Sequence, residues 1–75
     1  MKFKLGIYRN LKNGKLYKVI GVGKHSETLE DQVFYEALYK NKVSKFWIRP
    51  LKMFTEEVVG TDGTKRKRFL FVSQN

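Results

Sequence analysis

The only histidine of the chain, His25, stands in the stretch Gly23-Lys24-His25-Ser26-Glu27-Thr28-Leu29-Glu30-Asp31. These are the residue types of acid–base or nucleophilic chemistry: an imidazole that exchanges a proton near neutral pH, two hydroxyls and several carboxylates. A nucleophilic site needs a base within hydrogen-bond reach of the hydroxyl and a third group that holds the base. Adjacent side chains of an extended segment point to opposite faces, so His25 and Ser26 diverge, while His25 and Glu27 share a face and can pair. No second histidine, separate nucleophile or oxyanion loop stands out, and no catalytic residue is assigned. Ser26 and Thr28 can instead hydrogen-bond nearby backbone amides in a turn, with His25 ending a strand. Three readings stay open, in this order: a structural turn, a ligand-recognition segment, a catalytic site. One histidine and no cysteine leave only carboxylates and carbonyls for a metal, so neither a metal site nor a cofactor is expected.

Two further groups have chemistry to offer. Trp47 and Arg49 alternate on one strand face; an indole stacks on a base, and a guanidinium forks onto a phosphate or carboxylate. Their other reading is a core tryptophan and an arginine paired with Glu27 or Glu30. The run Lys65-Arg66-Lys67-Arg68 divides on a strand into Lys65 and Lys67 on one face and Arg66 and Arg68 on the other. It is either a charge-guarded edge strand or, with Lys12, Lys15 and Lys18, a strip of phosphate contacts. The candidate ligand-binding set is therefore His25, Ser26, Glu27, Thr28, Glu30, Trp47 and Arg49.

Charge gives these candidates a context. Sixteen Lys and Arg against seven Asp and Glu leave a formal net charge of +9 over 75 residues. Residues 1–24 carry only positive charges, 25–36 reverse the sign with Glu27, Glu30, Asp31 and Glu36, and the remainder is mixed. A balance of this kind attracts polyanions, so RNA or DNA is a possible partner, and so is an acidic protein segment. No apolar run approaches the ~18 residues of a membrane span, and no membrane role is expected. The charged start, Met1-Lys2-Phe3-Lys4, lacks the apolar core of a signal peptide, and the absence of cysteine suits a reducing interior. A cytoplasmic protein of one domain, residues 1–75, is expected. A chain of this size hides only about 60 to 65 per cent of its unfolded surface, so the core must be thin.

The elements that position these groups follow from alternation and turn chemistry. Asn13-Gly14 between two alternating segments predicts a two-residue hairpin turn, which would set Leu11 opposite Leu16, Asn10 opposite Tyr17 and Tyr8 opposite Val19. Tyr8, Tyr17 and Val19 then share one face. Ile7, Leu11, Leu16 and Ile20 share the other with Arg9 and Lys18, a face expected to be partly wet. Asp62-Gly63 predicts a second hairpin leading into the apolar run Phe69–Val72. Residues 29–40 carry both a helical spacing behind a Thr28-x-x-Asp31 cap and a strand alternation of Val33, Tyr35, Ala37 and Tyr39; aromatic and β-branched content favours the strand. Lys45–Pro50 reads as a strand that Pro50 ends, with Tyr39–Lys45 as the loop before it and one short helical turn within Leu51–Glu57 after it, Leu51 and Phe54 pointing the same way. The fold class is mainly β: a small SH3-like barrel or roll of about five antiparallel strands with one short helical turn, closed or nearly closed to protect its edges.

Two motifs carry a family resemblance. His25-Ser26-Glu27-Thr28-x-Glu30 and Trp47-x-Arg49-Pro50-x-x-Met53-Phe54, with the segments around them from Gly6 to Val72, resemble the small bacterial family known as domain of unknown function 1653. The resemblance implies an SH3-like roll, and hence a strand over 29–40, but no activity. The chain departs from the family pattern at Asn10, where a histidine is usual, and at Lys40–Lys45, where the loop is usually glycine-rich and acidic. The reading that joins these observations is a non-enzymatic binding module for nucleic acid or a nucleotide-like anion. A protein-interaction domain binding an acidic or extended segment is the alternative, and a small enzyme using His25 comes third.

Overall fold

The computed structural model describes residues 3–75. Its strands are β1 (Gly6–Asn10), β2 (Leu16–Lys24), β3 (Asp31–Ala37), β4 (Phe46–Pro50), β5 (Glu57–Val59), β6 (Lys65–Lys67) and β7 (Phe69–Ser73), with one helical turn, α1 (Leu51–Phe54), after β4. Five strands form an antiparallel sheet in the order β4-β3-β2-β1-β7, and β5 and β6 form a separate two-stranded ribbon. The mainly β class is as expected, including the strand over 31–37 and the helical turn after Pro50. Closure is not. The sheet stays open because the β5–β6 ribbon pairs only with itself, leaving β4 and β7 as free edges.

Alternation builds the core. Tyr8, Tyr17, Val19, Val33, Tyr35 and Ala37 lie on one face of the sheet, and Phe54 from α1 and Phe69 from β7 complete the cluster. Phe54 stacks on Phe69 with ring centres 4.0 Å apart and meets Tyr8 and Tyr35 edge-on, so α1 acts as a plug over an aromatic core. Buried phenols need partners: the Tyr8 hydroxyl donates to the Lys4 carbonyl at 2.6 Å, and the Tyr17 and Tyr39 hydroxyls share a bond of 2.6 Å. Arg9 and Lys18 are exposed on the other face, which is partly wet as expected.

The first hairpin differs from expectation in register. Arg9 pairs with Leu16 and Tyr8 with Tyr17, two residues away from the predicted pairing. The cause lies in Asn10. Its Oδ1 accepts the Lys12 amide, its backbone bonds Lys15 and Gly14, and Asn13 Oδ1 accepts the Lys15 amide. These bonds hold a four-residue loop, Leu11–Gly14, with only Gly14 at positive φ (71°), where a two-residue turn would need positive φ at Asn13 as well. A shift of two leaves every side chain on its predicted face. It also separates Arg9 from Lys18, which now face Leu16 and Ile7.

Candidate functional site

The His25–Glu30 segment forms the loop between β2 and β3, and its construction matches the Leu11–Gly14 loop. His25 N donates to Glu30 O at 2.8 Å, and Leu29 N donates to His25 O at 2.9 Å, as Asn10 and Gly14 do in the first hairpin. His25 Nδ1 accepts the amides of Glu27 (3.2 Å) and Thr28 (3.3 Å), the task that Asn10 Oδ1 performs for Lys12. An Nδ1 used as acceptor leaves the ring proton on Nε2, which points away from these bonds. Thr28 Oγ1 accepts the Glu30 amide, and Glu30 takes the Gln32 side chain. Leu29 occupies the place of Gly14 with φ at 63°, and its side chain is 67 % exposed.

Trp47 and Arg49 share the core face of β4, opposite Tyr35 and Val33. Trp47 packs against the core cluster, and its buried Nε1 has no hydrogen-bond partner among the described residues. Arg49 turns inward: its Nε donates to the Tyr35 hydroxyl at 3.4 Å, and its guanidinium lies 5.6 Å from the centre of the Phe69 ring. The expected pairing of Arg49 with Glu27 or Glu30 is not made. The ion pairs among the described residues are Lys24–Asp31, Lys45–Glu36, Arg66–Asp62 and Arg68–Glu56.

The chain matches the family model for a protein of unknown function, DUF1653, over residues 6–71. The chain belongs to this family. A crystal structure of a DUF1653 protein from Bordetella bronchiseptica superposes with a TM-score of 0.89 at 30 % identity, covering 99 % of this chain and 92 % of that one. No curated protein matches.

The basic residues of this DUF1653 protein fall into distinct places. Lys12 from the first loop joins Arg66 and Arg68 along a groove of about 520 Å³ whose apolar wall includes Leu11, Val58 and Val59. Arg68 is fastened to Glu56, with contacts of 2.7 and 2.9 Å to one carboxylate oxygen, and Arg66 reaches Asp62 at 3.6 Å. Bonds from the Thr64 hydroxyl and amide hold the Asp62 carboxyl below its ordinary pKa. Lys65 and Lys67 are exposed on β6 outside that groove, in the ladder positions opposite Val59 and Glu57. Lys18 lies on the outer face of β2, level with Glu36.

A second groove, of about 590 Å³, is lined by Ala37, Tyr39, Lys40, Asn41, Lys42 and Lys45. Lys15 Nζ sits 5.2 Å from the centre of the Tyr39 ring. The Tyr39 phenol is pushed up to about 12, first by its hydrogen bond with Tyr17 and then by burial. Sequence reasoning placed Tyr39 on one strand side with Val33, Tyr35 and Ala37 and counted the loop lysines as charge, but did not join them. The joining contact is between Tyr17 of β2 and Tyr39, two residues past the end of β3.

Proposed function

We propose that this protein is a non-enzymatic binding module for nucleic acid or a nucleotide-like anionic ligand. The observation that carries the reading is the convergence of Lys12 with Arg66 and Arg68, from separate hairpins, along one groove that also has an apolar wall. Cations beside apolar surface suit a phosphate joined to a base or sugar better than a bare anion. The net charge of +9 supplies the long-range attraction. His25 serves here as a loop brace, because its Nδ1 is already engaged by two amides.

Titration of a labelled single strand at several salt concentrations tests the reading. With roughly four to six phosphates neutralised, the log–log slope of single-strand affinity against salt is about −3 to −4. No binding at low salt, or a flat slope, overturns it.

A second reading, docking of an acidic or extended protein segment, is favoured by the free edge of β4. Phe46 and Ile48 are exposed there, beside Lys45 and Arg49. An added strand would satisfy the unpaired backbone groups of such an edge. Partners retained after nuclease treatment of an extract favour this reading, and partners lost favour the first.

A further inference from the structure

The two grooves share a component, the loop between β1 and β2. Lys12 lines the first groove, while Lys15, three residues on, packs over the Tyr39 ring that walls the second. The loop is not free to swing between them. Asn13 Nδ2 donates to the Tyr17 hydroxyl at 3.1 Å, and that hydroxyl is bonded to Tyr39, so the loop tip is tied to the wall of the second groove.

The lysines of the second groove hang on an equally ordered loop. Asn41 Oδ1 accepts the amides of Val43 and Ser44, both at 2.9 Å. Ser44 Oγ donates to the Phe46 carbonyl at 2.6 Å, and Ala37 N donates to the Lys45 carbonyl at 2.8 Å. Lys45 is partly spent on Glu36 at 3.5 Å. Lys12, Lys15, Lys40 and Lys42 take part in none of the ion pairs formed among the described residues. Lys12 in the first groove, Lys40 and Lys42 in the second, and Lys15 over the Tyr39 ring are therefore four uncompensated ammonium groups on the loops at one end of the sheet.

Resting on the binding reading above, we infer that the ligand is single-stranded nucleic acid, laid along a track from the Arg66–Arg68 groove, across Lys12 and Lys15, into the Tyr39–Lys40–Lys42 groove. A mononucleotide fills one groove and leaves the other's cations unused. A duplex presents a rigid phosphate array and hides its bases in the stack, so the wall of Tyr39 and Ala37 gains nothing from it. An unpaired strand bends over the loop and offers both phosphates and base faces.

The test uses the full chain with a labelled single strand, a duplex of equal length and a mononucleotide. The double variant Lys40→Glu/Lys42→Glu alters two exposed side chains and leaves the core untouched. A control, Lys4→Glu/Lys52→Glu, changes the net charge equally outside both grooves. The track predicts the order single strand, then duplex, then mononucleotide in affinity. It also predicts that the groove variant lowers the magnitude of the salt slope by about 1.4, two phosphates at about 0.7 each, while the control leaves the slope in place. Wild-type binding that the groove variant weakens no more than the control overturns the track and leaves the binding reading standing. Equal or tighter binding of duplex overturns the choice of single strand. Absence of any binding at low salt removes both.

Discussion

The Tyr17 and Tyr39 hydroxyls lie 2.6 Å apart, one at the edge of the buried core and the other at the wall of a solvent-facing groove. The bond connects fold stability to the surface that the lysines surround. It also gives stability a pH dependence with a definite sign. In the unfolded chain a phenol loses its proton near its ordinary value of 10.0, whereas Tyr39 in the fold holds it to about 12. Burial raises Tyr8 in the same direction. Between those values the unfolded state releases a proton that the folded state keeps, so stability is complete below pH 10 and declines as pH rises towards 12. The urea midpoint should fall across that window, and Tyr39→Phe should flatten the fall in part, at the expense of about 1 kcal/mol at neutral pH for the lost bond. An unchanged alkaline profile in Tyr39→Phe would contradict the assignment.

His25 and Asn10 brace equivalent loops through equivalent acceptors, which separates a brace from a chemical group. His25→Ala strands two loop amides and should lower stability by about 1 kcal/mol. His25→Asn retains an acceptor of the kind that Asn10 supplies, and should recover most of that loss in thermal melts. Equal destabilisation by both substitutions would show that the imidazole does something other than accept these bonds.

Leu29 carries a backbone conformation that Gly14 adopts freely in the matching loop. A left-handed conformation is disfavoured for a residue with a Cβ by roughly 1 kcal/mol or more. Leu29→Gly should therefore raise the unfolding free energy by up to about 1 kcal/mol, read as a higher urea midpoint, and Leu29→Val should lower it because branching at Cβ worsens the clash. The side chain is exposed, so no core contact opposes the gain.

Gly6 presents the reverse case. Its φ is 140°, and a Cβ there would collide with the Ser73 carbonyl oxygen and crowd Gln74 Cα, where β7 runs over the start of β1. Gly6→Ala should destabilise the fold by about 1–3 kcal/mol, measured by urea unfolding. A wild-type midpoint would mean that β7 does not lie that close.

Much of this arrangement was legible along the chain, for a physical reason. Strand side chains alternate with period two, so Tyr8, Tyr17 and Val19 could be assigned to one face of the first hairpin, and Val33, Tyr35 and Ala37 to one side of their strand, even though the hairpin register was misjudged by two. The misjudgement came from treating Asn13-Gly14 as the turn, when the Asn10 side chain captures the Lys12 amide and lengthens the loop. Openness of the sheet was hidden because it depends on where the β5–β6 ribbon pairs, and no local signal sets that. Arg49 had acids nearby in motif order, but its strand faces inward, and Tyr35 and Phe69 claim the guanidinium. Convergence of Lys12 with Arg66 and Arg68 was half legible, since the strand alternation of the basic run placed the two arginines together.

The free edges of β4 and β7 have a consequence for how copies of this molecule treat one another. Phe34 stacks on Phe46 on the outer face of the sheet, with Ile48 beside them 65 % exposed, so edge and face together offer a template for sideways growth. Mutual repulsion between bodies of charge +9 opposes that growth at low ionic strength. Salt that shortens the screening distance to about 8 Å weakens the guard, and a bound polyanion cancels it outright. The same positive charge that would draw in a nucleic acid is thus also a colloidal shield, and saturating it with ligand brings the sheet edges within reach of each other.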